Sequence, residues 1–228
     1  MKKSVLLLVI LLFPPLLYLL LAVLKKDPHL PIFYPEDVKK SLVNGKEVTD
    51  TVYHTIPSFS FYNQEGAVVT EKNFTDYLYV ADFFFTTCPT ICPRMMKQMG
   101  RVSEGTKDMD DFLIISHTVN PDHDSVAVLA EYAKLVHADP KKWMLVTGNK
   151  KDIYDIGIDG YKLAVDEDPR APGGFLHSEL FVLVDKNKRV RGYYDGTDSV
   201  QVTKLIGDIH ILSAEFPHAS KPKIYQQH

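Results

Sequence analysis

The run from Tyr77 to Met95, YLYVADFFFTTCPTICPRM, constrains the fold of this chain more than any other stretch. Its first nine residues are rich in aromatic and β-branched side chains and predict a buried strand over 77–85. Pro93 stands where a helix tolerates proline, in the first turn, so PRMMKQMGRVSEGTK predicts a helix. The junction between them carries Cys88 and Cys92, the only two cysteines among 228 residues. A strand that enters a helix N-terminus at cysteine places sulfur at the positive end of the helix dipole, which favours thiolate over thiol. If the turn is helical, positions i and i+4 share one face, and the pair is within disulfide reach. Three readings follow for the pair. One is a structural disulfide, which would close a very small loop and stabilise little. Another is a redox dithiol, although the usual spacing has two intervening residues rather than three. The last is a soft-metal site, which needs further ligands.

The rest of the chain alternates in the same way. PSFSFYNQEGAVVT (57–70) predicts two short strands around Gln64-Glu65-Gly66, a hairpin. FLIISHTV (112–119) and WMLVTG (143–148) predict core strands, and DSVAVLAEYAKLVHA between them predicts a helix capped by Asp122 or Asp124. LFVLVD (180–185) and RVRGYYDG (189–196) predict a second hairpin across Lys186-Asn187-Lys188. TDSVQVTKLIGDIHIL (197–212) predicts a closing helix capped by Thr197 or Asp198. This order implies an α/β sandwich with a central mixed sheet. The domain spans 57–213, with residues 214–228 as a tail.

Ahead of the domain, residues 4–24 hold no charge, and Lys2, Lys3, Lys25 and Lys26 flank them. As a helix this segment would span about 30 Å, one bilayer core, and Pro14-Pro15 would kink it. Its length and the absence of a small-x-small cleavage site favour a retained anchor (1–26) over a cleaved signal peptide. Lipoprotein processing is excluded because no cysteine lies near residue 20. The proline-rich stretch 27–56 is expected to be a linker. With the four anchor lysines set aside, 22 basic residues face 29 acidic ones. No basic stripe supports nucleic-acid binding.

FFFTTCPTICPRM together with FLHSELFVLVD resembles the Sco/SenC family of membrane-anchored copper-binding proteins, over roughly residues 55–212. The resemblance implies a thioredoxin-like fold and a metal site of Cys88, Cys92 and His177. It also implies copper as cofactor and a role in assembling the binuclear copper centre of cytochrome c oxidase, whose copper-receiving subunit would be the partner. Where the family often has an aspartate between its cysteines, this chain has Thr90. Two thiolates and an imidazole form a soft set suited to Cu(I), and Gly173-Gly174 gives the loop before His177 freedom to close. Thioredoxin-like oxidoreductases often carry an acid where Asp82 stands, which makes Asp82 a candidate proton relay to Cys88 and Cys92 if the pair is redox-active. The alternative function is therefore a membrane-anchored thiol–disulfide reductase acting on partner cysteines. A thiol peroxidase is disfavoured, because that pattern places threonine where Phe85 stands. The resemblance puts the domain outside the cytoplasmic membrane, and a start that lacks the arginine- and serine-rich character of a mitochondrial presequence favours a bacterial envelope.

Other groups have plainer expectations. Met95, Met96 and Met99 follow the turn as core filler. His117, His123 and His137 are expected at the surface or as caps, and His210 and His218 in solvent. Asp166, Glu167 and Asp168 form an acidic turn that could guide a cationic partner.

Overall fold

A computed structural model describes residues 11–18, 29–43, 46–163, 165–167 and 175–216. Its centre is a seven-stranded mixed sheet. The inner strands β5 (Leu78–Phe84), β6 (Phe112–Thr118) and β7 (Trp143–Thr147) run parallel. All their side chains are buried, which is why they read as continuous apolar runs rather than alternating ones. The expected hairpins flank them. β3 (Ser60–Asn63) and β4 (Val68–Thr70) pair antiparallel beyond β7. β10 (Leu180–Val184) and β11 (Val190–Asp195) pair antiparallel beyond β5. Gly66, at φ 77°, closes the first hairpin in a conformation that favours glycine, and the Asn63 side chain accepts from the N–H groups of Glu65 and Ala67.

Residues 11–18 form a helical turn pair, α1, with exposed side chains. Among the described residues no helix is long and apolar enough to cross a membrane; most of the expected anchor, 1–10 and 19–26, lies outside them. Helices α2 (Cys92–Gly105) and α5 (Ser199–Glu215) pack together, and α3 (Val126–Val136) packs on β7. Ser125 caps α3, accepting from Val128, in place of the expected Asp122 or Asp124. Asp198 caps α5 as one of the two expected residues. Met95, Met96 and Met99 are buried in the core, as their helical spacing implied.

Three features differ from the sequence expectation. The segment read as a linker carries an antiparallel hairpin, β1 (Pro35–Val43) with β2 (Lys46–Tyr53). Its many exposed, charged positions hid the strand pattern. A short helix α4 (Lys150–Asp155) runs on into a π-helical turn, Ile156–Gly160, in a region assigned no element. A small separate sheet pairs β8 (Val165–Glu167) with β9 (Phe175–His177), so Asp166 and Glu167 lie in a strand; Asp168 lies outside the described residues.

The base of the domain is tied together by one buried arginine. Arg191 donates to the carbonyls of Pro31 and Leu30 and to the carboxylates of Asp185 and Glu215. Glu215 in turn accepts from the Leu30 N–H. Val184 of β10 pairs with Tyr79, near the start of β5, so this clamp sits at the opposite end of the sheet from the cysteines.

Candidate metal and thiol site

The turn from Phe85 to Ile91 joins the end of β5 to α2. Helix α2 has no side-chain cap at Ile91. Its first N–H groups are therefore available to sulfur rather than to a capping oxygen. Both cysteines are thiols and both are buried. Burial alone would raise the Cys88 pKa, but the backbone N–H groups of Cys92 and Thr90, the Cys92 thiol and the Thr90 hydroxyl outweigh it, and the net shift is downward. Thr90 Oγ1 lies 3.8 Å from the Cys88 sulfur. Cys92 is displaced the other way. Burial raises its pKa well above the usual thiol value, the Phe85 N–H lowers it, and the neighbouring Cys88 and Asp82 charges raise it further. The pair is thus asymmetric: Cys88 is the poised thiolate and Cys92 holds its proton.

Alternation along β5 sends Asp82 and Phe84 to one face and Phe83 to the other. Asp82 is fully buried, and Ser116 donates to its Oδ1 at 2.5 Å while Trp143 Nε1 donates to Ser116 at 2.9 Å. Among the described residues its Oδ2 has no hydrogen-bond partner. Burial pushes its pKa up to about 7, opposed by the Ser116 hydroxyl. This carboxyl belongs to a central strand, not to a strand edge where water or backbone would satisfy it.

The Phe83 face holds His117, which the sequence reading placed at the surface or in a cap. It is fully buried, stacked 4.8 Å from Phe83 and edge-on to Phe61 and Tyr161. β6 is covered on both faces, so a histidine in register with Phe83 must enter the core. Burial lowers its pKa to about 3, against one hydrogen bond to the Asp82 carbonyl. His137 is a cap, in the left-handed conformation at the end of α3. His210 is exposed beside the Gly105 carbonyl, and His218 lies outside the described residues.

His177 ends β9, its backbone paired with Val165. Its side chain lies outside what the structure describes, as do Gly173 and Gly174. β10 runs antiparallel to β5, with Val184 opposite Tyr79 and Val182 opposite Ala81. β10 therefore starts, at Leu180, beside the end of β5 that leads into the cysteine turn. His177 precedes Leu180 by three residues in the chain, in the separate β8–β9 pair.

One contributor was missed in the sequence. Asp124 is fully buried and reaches back to the turn. Its oxygens accept from the Thr86 N–H at 3.0 Å, the Thr86 hydroxyl at 2.5 Å and the Thr118 hydroxyl at 2.5 Å. They also contact His123 Nδ1 at 2.8 Å. In the sequence Asp124 looks like a helix cap, and only the capping by Ser125 releases it.

A family model described as SCO1/SenC matches residues 48–211. The "SCO1 protein homolog" of Bacillus subtilis is 28% identical over 171 residues, covering 74% of this chain and 88% of that protein. The crystal structure of a SCO1/SenC family lipoprotein from Bacillus anthracis is 30% identical with TM-score 0.65, covering 70% of this chain and 95% of that one. The structure of BsSco, described as a member of the Sco family of cytochrome c oxidase assembly proteins with a disulfide switch, is 28% identical with TM-score 0.63, covering 71% and 94%. Bradyrhizobium japonicum ScoI with copper bound shares the fold at TM-score 0.59 and 21% identity, covering 69% and 99%. The thioredoxin-like fold is common to them, and a match across residues 48–211 shows that the chain belongs to the SCO1/SenC family.

Proposed function

We propose that the protein is a membrane-anchored copper chaperone that binds Cu(I) through Cys88, Cys92 and His177 and serves assembly of the binuclear copper centre of cytochrome c oxidase. The observation that carries this reading is the pair of reduced thiols at an uncapped helix N-terminus, one of them favoured as thiolate. His177 stands three residues before Leu180, where β10 begins beside the end of β5 that leads into the turn, which supports its inclusion in the ligand set. Two sulfurs and an imidazole nitrogen are a donor set that prefers Cu(I) to hard cations. ScoI of Bradyrhizobium japonicum, described with copper bound, and BsSco, described as an oxidase assembly protein, support the copper and the pathway.

The anchor in this reading is the uncharged segment 4–24, with the domain of residues 57–213 outside the cytoplasmic membrane. The Bacillus anthracis relative is described as a lipoprotein. This chain has its two cysteines in the turn, and in this reading the apolar segment 4–24 serves as the tether where that relative is a lipoprotein.

Copper stoichiometry and affinity of the reduced protein test the proposal. One tightly held Cu(I) per chain is expected, lost in Cys88→Ala and weakened at least tenfold in His177→Ala. Undiminished binding in the Cys88→Ala/His177→Ala double variant refutes it.

A second reading, a thiol–disulfide reductase for partner cysteines, is favoured by the same asymmetry. A thiolate at Cys88 attacks a partner disulfide, and Cys92 then resolves the mixed disulfide. In that reading His177 is dispensable, so reduction of a model disulfide at wild-type rate by His177→Ala would support it.

A further inference from the structure

The cysteine turn hangs on one peptide group. The Phe85 carbonyl accepts from the Cys88 N–H at 3.2 Å, and the Thr86 N–H on the same peptide donates to Asp124 Oδ2 at 3.0 Å. The N–H of Phe85 reaches the Cys92 sulfur. That N–H lies on the preceding peptide, whose Phe84 carbonyl accepts from Val119 N–H, so the orientation of the Phe85–Thr86 peptide sets where Cys88 stands relative to Cys92.

Asp124 is built for that task and for no other visible one. It stands just before α3, yet Ser125 supplies the cap. Its carboxylate has no exposure, a costly position for a charged group unless donors surround it. Those donors come from three places: Thr86 in the turn, Thr118 at the end of β6, and His123 in its own loop. Thr118 belongs to a fully buried strand, so it supplies a fixed reference point. The neighbouring link from Val119 N–H to the Phe84 carbonyl, at 2.8 Å, fixes β5 against β6 only as far as the strand end. Beyond that point, among the described residues, Asp124 links Thr86 of the turn to Thr118 of the sheet.

We propose that Asp124 is the positioning residue of the metal and thiol site: its buried carboxylate locks the Phe85–Thr86 peptide to β6 and thereby holds Cys88 at the distance from Cys92 that a shared ion requires. The inference rests on the copper reading for its main readout, and a second readout is independent of copper. The reduced turn is the arrangement Asp124 secures, so its removal disfavours the dithiol relative to the disulfide.

The test uses the full chain in detergent micelles. Cu(I) affinity is measured by competition with bathocuproine disulfonate, and the dithiol–disulfide equilibrium is measured in glutathione buffers. Asp124→Ala is expected to weaken Cu(I) binding at least tenfold and to shift the redox equilibrium about tenfold toward disulfide, about 30 mV. Asp124→Asn is expected to stay within about threefold of wild type. Its amide oxygen can serve the Thr86 N–H, while the hydroxyls and the imidazole exchange donor and acceptor roles. Thr118→Val keeps the volume and removes one anchor of Asp124; its hydroxyl bonds to Asp124 and Asn120, not to the turn. It is expected to shift both readouts about threefold in the same direction. A folded Asp124→Ala within twofold of wild type on both readouts overturns the proposal, as does an Asp124→Asn as impaired as Asp124→Ala. Should Asp124→Ala not fold, wild-type values for Thr118→Val overturn it. A wild-type protein that binds no copper defeats the copper reading, and the glutathione equilibrium still decides the role of Asp124.

Discussion

Replacing Asp82 by asparagine should stabilise the metal-free reduced protein, and by an amount that grows with pH. Asp82 is fully buried with one oxygen unpartnered, and its pKa stands at about 7 against 3.8 for an ordinary carboxyl. A carboxyl raised in this way binds its proton more tightly when folded than when unfolded. Stability therefore falls as pH rises from about 4 to about 7 and is level above that. Each pH unit in the window costs about 1.4 kcal/mol, so the full penalty approaches about 4 kcal/mol by pH 8 and is only about 1 kcal/mol at pH 4.5. Asparagine escapes this penalty. Its amide oxygen can still accept from Ser116, and its amide nitrogen replaces the unpartnered Oδ2, much as the protonated acid would. Urea denaturation of wild type and Asp82→Asn at pH 4.5, 5.5, 6.5 and 8, with m-values compared, reads the difference directly. A difference that stays flat across that range would show that Asp82 is not a protonated carboxyl at neutral pH, and the reasoning from its burial would fail.

His117 provides the opposite slope. Its folded pKa of about 3 lies below the ordinary 6.5, so its contribution is complete above pH 6.5 and is lost as pH falls. His117→Leu should remove about 3 kcal/mol of acid destabilisation between pH 7.5 and pH 4.5, seen as a flatter urea midpoint profile. Arg191→Met should cost about 3 kcal/mol at neutral pH, because it deprives half-buried Glu215 of its arginine and leaves buried Asp185 with Arg189 alone. The same denaturation series measures it, and Cu(I) affinity should be unchanged because the clamp lies at the far end of the sheet.

The reach of the sequence can be seen in particular residues. β5, β6 and β7 were legible because strands buried on both faces carry unbroken apolar runs, and the two hairpins because turn residues separate their strands. Cys88 and Cys92 were legible because a thiol pair before Pro93 admits few roles. The β1–β2 hairpin was not, since residues 35–40 of its first strand are exposed and mostly charged and present no apolar alternation to read. His117 was misread for a related reason: a polar residue in an apolar run does not announce whether it faces core or solvent. Asp124 was hidden because a residue just before a helix looks like a cap, and its true partners, Thr86 and Thr118, come from other elements. Local sequence shows which groups are present, but a buried polar network spanning three elements exists only after the chain has folded.

The asymmetry of the two thiols makes a last demand on any copper chemistry at this site. In the reduced protein Cys88 is shifted toward thiolate, while burial and the neighbouring charges hold the proton on Cys92. Copper coordinates thiolate, so binding to both sulfurs must expel the Cys92 proton. In the pH range where Cys88 is already ionised, one proton leaves per copper, and the apparent Cu(I) affinity should rise about tenfold per pH unit. Below that range both sulfurs give up protons, and their contribution to the slope should approach a hundredfold per unit. Chelator competition between pH 5.5 and 8.5, corrected for the chelator's own protonation, measures this slope. An affinity independent of pH would mean that Cys92 is not a ligand, and the site would reduce to Cys88 and His177. The same asymmetry suits thiol exchange without copper, because there the Cys92 proton need not leave until the mixed disulfide is resolved. A steep affinity slope together with proton release on copper addition therefore separates metal binding through both sulfurs from a site in which Cys88 alone reacts.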